Sequence, residues 1–345
     1  MTSYFLRRLL LVLPTFLGIT LAVFVIMHFV PGGPVERQIM RYKMAVMTEG
    51  GIAGGAGSPT TSLSLPDDAI EEIRRYYGFD KPVHIRYVQW LGSLVRLDLG
   101  NSYVYQEPVW TVIRSRFPVS IFLGLTGFLL SYIVCVPLGV LKAIRHRSRF
   151  DFISSAIVFL GYSVPGWALG TMLLVLFGGG SFWSIFPLGG FRPDNWEYLS
   201  AGQKIAGQAR HMFLPVLCYM VGSFATLTIL TKNSLMENMS QDYVRTAFAK
   251  GLHKRRVIFV HALRNSLIPI ATGLGHLFSL ILAGSFLIER VFNIDGMGYL
   301  GYTSILQRDY PVALGILVIS SLLLLVGNIL SDMIYAVVDP RIRFK

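Results

Sequence analysis

Charge is scarce in this sequence. Only 14% of its 345 residues are Asp, Glu, Lys or Arg, against about a quarter in an ordinary soluble domain. With 53% hydrophobic residues beside it, that scarcity excludes a chain whose whole surface meets water and points to lipid as the solvent. Cysteine is almost absent. Cys135 and Cys218 both lie inside apolar runs, which excludes a disulfide framework or a cysteine metal site and reads as small packing residues. Catalytic signatures are missing too. There is no G-x-x-x-x-G-K-S/T, so the chain does not hydrolyse ATP by a P-loop. There is no H-E-x-x-H, G-x-S-x-G or C-x-x-C, so no catalytic residue, metal or organic cofactor is expected in this chain, and an enzyme is not expected.

Long apolar runs are plentiful. A membrane helix needs about 20 apolar residues, and six stretches qualify: Leu9–Val30, Phe117–Leu141, Phe152–Phe177, Met212–Leu230, Ile268–Ile288 and Val312–Val338. The first follows Arg7 and Arg8, the basic flank of a signal sequence. It is longer than a signal core and lacks a cleavage site, so it reads as an uncleaved span. The expected fold is an all-α membrane protein with six transmembrane helices. It divides into 1–30 (N-terminal end and first span), 31–116 (a long external loop), 117–338 (the membrane core) and 339–345 (a tail).

Lys and Arg in the short loops set orientation. Arg7 and Arg8, then Lys142, Arg145, Arg147 and Arg149, then Lys232, Arg245, Lys250, Lys254, Arg255, Arg256 and Arg264, then Arg341, Arg343 and Lys345 all fall on one side of a six-span chain. Both termini are therefore expected in the cytoplasm. Less Asp151, Glu237, Asp242 and Asp339, these residues account for the whole net charge of +12. The basic balance is a topology signal and calls for no nucleic-acid partner.

The long loop has three parts. Residues 44–65 are rich in Gly, Ala, Ser and Thr and cannot bury a core. Pro66–Tyr77 looks helical, with acids early, Arg74 and Arg75 late and Gly78 as its stop. His84–Leu97 carries Ile85, Val88, Leu91, Leu94 and Val95 at helical spacing, with Tyr87 and Trp90 suited to headgroup level. Val109, Val112, Ile113 and Phe117 read as an interfacial helix feeding the second span. Either a packed cap over the bundle or a docking surface for a soluble partner fits this loop.

The late basic loop is different. Asp242 can cap a helix start, Tyr243–Lys250 is a good helix, and Gly251 can close it. Val244, Phe248 and Leu252 share one face, with Tyr243, Ala247 and Gly251 flanking, and with Arg245 and Lys250 elsewhere. Such a face must bury against the membrane surface, the bundle or another protein. Small residues at Ala247, Ala249 and Gly251 permit close approach to a protein groove.

In this loop Ala247 is followed four residues later by Gly251. The arrangement resembles the EAA loop of ABC importer permeases. Tyr243, Val244, Arg245, Thr246 and Ala247, then Ala249, Lys250, Gly251 and Leu252, look like the variant of the dipeptide/oligopeptide permease family. So does the run from His261 to Asn265 with Pro269 behind it. Arg7–Pro14, Pro31–Pro34, Tyr77–Pro82, Asp98–Ser102, Arg308–Pro311 and Asp339–Arg341 match that family in order, and the endings resemble its YejB-type branch. Arg245 and Thr246 depart from the Glu and first Ala of the general motif. Phe248 stands where many peptide permeases carry Arg, which weakens the case for an ionic contact with an ATPase.

The resemblance implies a type I ABC importer permease in a bacterial inner membrane. A second, non-identical permease would line the pathway with it. Two cytoplasmic ATPase domains would bind ATP and Mg, and an external or lipid-anchored binding protein would deliver substrate. Residues 243–252 would couple to the ATPase. Oligopeptides, peptide-nucleotide antibiotics or cell-wall peptides would be the cargo. An ion-coupled secondary transporter is the alternative, disfavoured by few intramembrane acids and no obvious repeat of spans.

Within the spans, His276 is either a buried hydrogen-bonded histidine or a pathway residue. Ser163, Pro165 and Gly166 suggest a kink that packs or gates. Glu289 and Arg290 form a cavity wall or an interfacial pair. Asp332, Asn328, Lys232 and Asn233 can reach the interface from the ends of their spans.

Overall fold

The computed structural model describes residues 2–29, 40, 70–72, 75, 80–180, 182–272 and 285–338. Among these, four helices are long and apolar enough to cross a membrane, and one bent pair is long and apolar enough when taken together, as a broken span or a re-entrant turn. The four are α1 (Thr2–Phe29), α3 (Val109–Ile144), α6 (Ala201–Met239) and α13 (Tyr310–Val338). The bent pair is α4 (Arg149–Ser163) and α5 (Gly166–Phe177), which meet at 96°. The break falls at Val164–Pro165, as the Ser-Val-Pro-Gly run suggests, because proline cannot continue the hydrogen-bond ladder of the preceding helix. Of the expected span Ile268–Ile288, residues 273–284 lie outside the described residues, and His276 with them.

Shorter elements connect these. They are α2 (Val83–Val95), α7 (Asp242–Ala249), α8 (Lys254–Arg256), a π-helical turn (Val257–Ala262), α9 (Leu263–Ser266), α10 (Ile268–Thr272), α11 (Phe286–Val291) and α12 (Met297–Leu306). The glycine-rich 44–65 segment lies outside the described residues. Of the expected helix Pro66–Tyr77, Ile70, Glu71, Glu72 and Arg75 are described and helical, with Arg75 bonded to Glu71 at 3.0 Å.

Two compact units are resolved by their internal packing. One comprises Met1–Leu13, Ser115–Leu300 and Ser320–Lys345; the other comprises Pro14–Arg114 and Gly301–Ile319. The first unit is organised on α6. A capping box starts this helix, with Gln203 accepting the Ser200 backbone N–H at 3.0 Å. The helix then packs against α3 so closely that a Cβ on Gly139 would stand 2.6 Å from Thr231 Cβ. Leu123, Met212, Leu214, Val216, Cys218, Ile288, Phe292 and Ile294 form one core cluster, and Cys135, Leu227 and Ile270 another. Both cysteines are free and buried. Outward faces are apolar and open: Phe152 is 77% exposed and Leu160 75%. Such surfaces are stable only against lipid or another apolar partner. Asp332, expected to reach the interface, instead pairs with Arg8, and Arg8 also donates to the Asn328 carbonyl at 3.2 Å. An acid near membrane depth is held by a base one helix away, as its insertion cost requires.

In the second unit, α2 lies on α1. Phe24 meets the rings of Tyr87 and Trp90 at 5.3 and 5.8 Å, and the Tyr87 hydroxyl bonds Thr20 at 3.0 Å. The two aromatics therefore serve packing. Ile85, Val88 and Val95, grouped with them by spacing, are exposed. Val109, Val112 and Ile113 are buried in this unit and belong to α3 itself, not to a separate interfacial helix. Between them and the apolar run lies no breaker except Pro118, and the long helix accommodates it.

Candidate functional site

The segment singled out by its pattern folds as a short helix closed by a glycine turn. Gln241, not Asp242, occupies the cap position, and its side chain makes no cap bond. Asp242 is the first helical residue, and its carboxylate faces the positive end of the helix dipole. Arg245 reaches back to it at 3.4 Å on the open surface. At the other end Gly251 has φ +77°. Its N–H bonds the Phe248 carbonyl at 2.9 Å, and the Leu252 N–H bonds the Ala247 carbonyl at 3.3 Å. That pair of bonds is a Schellman cap, which needs a left-handed residue. The turn carries Leu252 back onto the same apolar cluster as Ala247.

Burial separates two faces. Val244 and Ala247 are buried with Val140 and Ala143 of α3, Leu235 of α6, and Val257 and Ala262 of the π-helical turn. The apolar face thus seats on the chain's own bundle. Phe248 was expected on that face; it is instead 44% exposed. At about 100° per residue Ala247 lies about 60° to one side of Val244 and Phe248 about 40° to the other, so a shallow groove that takes Val244 and Ala247 leaves Phe248 about 100° from Ala247, toward the open side. Tyr243, Arg245, Thr246, Phe248, Ala249 and Lys250 remain on the open side. The Tyr243 hydroxyl bonds Asn238 at 2.9 Å, tying α7 to the end of α6. Ser234 and Ser266 exchange side-chain-to-carbonyl bonds at 3.0 and 3.3 Å, which fastens α9 to the same stretch of α6.

Beside this seat lies a buried ion cluster that the sequence reading passed over. Lys142, in the last turn of α3, is 1% exposed. Its ammonium donates to the Asp151 carbonyl at 3.0 Å and to Ser154 and Ser155 at 2.9 and 2.6 Å. Lys232 of α6 bonds both Asp151 carboxylate oxygens, at 2.8 and 2.7 Å. The same carboxylate accepts the Arg147 N–H at 3.2 Å, and the Asp151 N–H bonds Ser148 at 3.2 Å. Ser148 therefore caps α4, and the Asp151 carboxylate bridges two lysines at once. The available signal was its position as the lone acid directly after the basic stretch from Lys142 to Arg149. Counting it only as a charge against the loop total hid that.

The other candidates scatter. Ser163 lies at the α4–α5 bend, exposed, with its hydroxyl on the Phe159 carbonyl at 2.8 Å. Glu289 is fully buried. Its carboxylate accepts the Tyr299 N–H at 2.6 Å, at the start of α12, and faces the Tyr219 hydroxyl at 3.4 Å. Arg290 points away from it to the Tyr299 hydroxyl at 2.7 Å. Neither the interfacial pair nor an open cavity wall describes Glu289; it is an inward cap on a helix N-terminus. His276 lies outside the described residues.

The binding-protein-dependent transport system inner membrane component family matches residues 135–344, from the middle of α3 to the tail. The chain belongs to that family. It is 40% identical to the inner membrane ABC transporter permease protein YejB of Escherichia coli O157:H7, over all of both chains. It is 39% identical to the peptidoglycan transport system permease protein YejB of Agrobacterium fabrum, over 100% of this chain and 99% of that one. It is 35% identical to the oligopeptide transport system permease protein AppB of Bacillus subtilis, over all of both. The chain is thus a multi-pass ABC permease subunit of an inner membrane and not itself an enzyme.

Two of the permease motifs meet in the second unit. Asp309 is fully buried. It accepts the Ser102 hydroxyl and the Tyr103 and Val104 N–H groups, the latter two at 3.1 and 3.3 Å. The Asp98–Ser102 and Arg308–Pro311 runs, about two hundred residues apart, therefore form one structural joint.

Proposed function

We propose that this permease is one of two membrane-spanning subunits of an ATP-driven importer for oligopeptides and peptide-like compounds, cell-wall peptides among them. Its basic end, which carries α7, faces the cytoplasm, and both termini lie on that side. Two partner ATPases hydrolyse ATP with Mg, a non-identical permease completes the pathway, and an external binding protein delivers cargo. The observation that carries this reading is the two-faced seating of α7. Val244 and Ala247 anchor it to α3, α6 and the π-helical turn, while Tyr243 and Phe248 stay open. A helix that is both anchored inward and aromatic outward suits a partner's groove. Force applied there reaches α3 and α6 directly.

Such a lever works by population. ATP binding at the partners has to favour one arrangement of the bundle over another, by contacts that differ between the two. The residues of this chain supply the contact (Tyr243 to Leu252) and its rigid mounting. The relatives' names support the cargo class: one is called a peptidoglycan and another an oligopeptide transport permease.

The test is to purify the tagged chain from native membranes, reconstitute what comes with it, and assay uptake of labelled peptides from a casein digest and from a cell-wall digest. Co-purified P-loop proteins with ATP-dependent uptake support the reading. Uptake that needs no ATP and collapses with an uncoupler would overturn it in favour of an ion-coupled transporter. The digest that is taken up decides the cargo class.

A further inference from the structure

The buried cluster of Lys142, Asp151 and Lys232 is not symmetric. Lys142 is saturated without the Asp151 carboxylate: a carbonyl and two serine hydroxyls take its three protons, all within the α3–α4 hairpin. Lys232 comes from a different helix, and its ammonium bonds both oxygens of the Asp151 carboxylate. One residue after Lys232's next neighbour, Ser234 fastens α6 to α9, and Leu235 lies in the floor beneath α7. The bidentate bridge therefore ties α6, on which α7 and α9 are seated, to the start of α4, held by the Arg147 turn, a residue with φ +62°. Beyond α4 lies the 96° corner into α5.

Charge bookkeeping sharpens the distinction. Two buried charges, Lys142 and Asp151, and the partly buried Lys232 carry a net of one positive. Removing Lys232 leaves a balanced Lys142–Asp151 pair at 3.2 Å with all other partners in place. Removing the Asp151 charge leaves two ammonium groups facing each other with no counter-ion, which a low-dielectric site does not tolerate. The contacts internal to the hairpin therefore run through Asp151 and Lys142, and Lys232 adds the contact from α6.

We propose that the Lys232–Asp151 bridge is a positioning contact for transport, passing displacement of α7 and α6 into α4 and the bent α4–α5 pair. This inference rests on the importer reading above. Lys232 touches neither cargo nor nucleotide; it acts through the helix it holds. Without it, the partner ATPases still dock on α7 and still hydrolyse ATP, but α4 lags behind α6.

The experiment compares the wild-type complex with Lys232→Met, Lys232→Arg and Asp151→Asn, each in the full chain purified with its partners and reconstituted. Three quantities are read: yield of assembled complex, ATP hydrolysed, and peptide imported from both digests. Lys232→Met is expected to assemble in wild-type yield and to raise ATP consumed per peptide several-fold, and Lys232→Arg is expected to restore the ratio. Asp151→Asn is expected to lower the yield itself. A wild-type ratio in Lys232→Met overturns the proposal. So does failure of Lys232→Met to assemble, which would make the bridge a folding element. A wild-type complex that imports no peptide with ATP sinks the importer reading instead, and is distinguishable because the variant is then never the difference.

Discussion

Gly251 closes α7 at φ +77°, and nothing stands within 4 Å of the place a Cβ would occupy. The two facts separate conformational from steric effects. A non-glycine residue in the left-handed region costs about 1–2 kcal/mol, most for β-branched side chains and least for Asn. That is roughly a five- to thirtyfold shift in the ratio of capped to frayed helix. Fraying would release the Leu252 N–H from Ala247 and draw Leu252 off the cluster that seats α7. Gly251→Asn, Gly251→Ala and Gly251→Val should therefore lose ATP-driven uptake in that order, Asn least and Val most, with equal amounts of the chain in the membrane. The assay is uptake and co-purified ATPase in reconstituted complexes, normalised to permease. If Asn impairs uptake as severely as Val, the backbone argument is wrong, and the open space around Gly251 is filled by a partner that tolerates no side chain.

Phe248→Ser should leave insertion and thermal stability unchanged, since the ring is half exposed, but should weaken co-purification of the ATPase. Ala247→Leu acts from the other side. Overpacking the seat should cost about 1–3 kcal/mol, seen as a lowered melting temperature of the detergent-purified chain. Gly139→Leu should lower it further, because its Cβ would overlap Thr231 and the Thr228 carbonyl. Asp309→Ala removes the acceptor shared by the Ser102 hydroxyl and the Tyr103 and Val104 N–H groups. At about 1–3 kcal/mol for the buried Ser102 hydroxyl, residues 98–108 should become sensitive to protease added to sealed, right-side-out membranes; unchanged resistance would count against the joint.

Much of this was legible because lipid simplifies the code. Long uncharged runs have few alternatives to a spanning helix, and Pro165 and Gly251 each act through local backbone chemistry. The anchored face of α7 was half legible. Val244 follows from helical spacing and Leu252 from the turn at Gly251, but which of Ala247 and Phe248 turns inward depends on the depth of the groove, and it is Ala247 that lies with Val140 and Val257. The Asp151 cluster and the Ser102–Asp309 joint were not legible. Each unites residues from separate helices or loops through polar contacts that have no period. Glu289 was misjudged for a related reason: adjacency to Arg290 suggested a pair, while the carboxylate found backbone N–H groups of a later helix instead. Arg8 and Asp332 were both noticed, yet their pairing joins the two ends of the chain and no local pattern announces it.

The corner between α4 and α5 has one more property. Within a bilayer an amide without an acceptor costs several kcal/mol, so most changes of chain direction there break something. At this corner the Val164 N–H is already turned back onto Gly161 at 3.3 Å, and the Pro165 carbonyl already receives the Leu169 N–H at 3.0 Å. Pro165 itself has no proton to place. Opening or closing the angle between the two arms therefore ruptures no bond donated by residue 165. The right-angled joint is built on the one residue type that has no amide proton to leave without an acceptor.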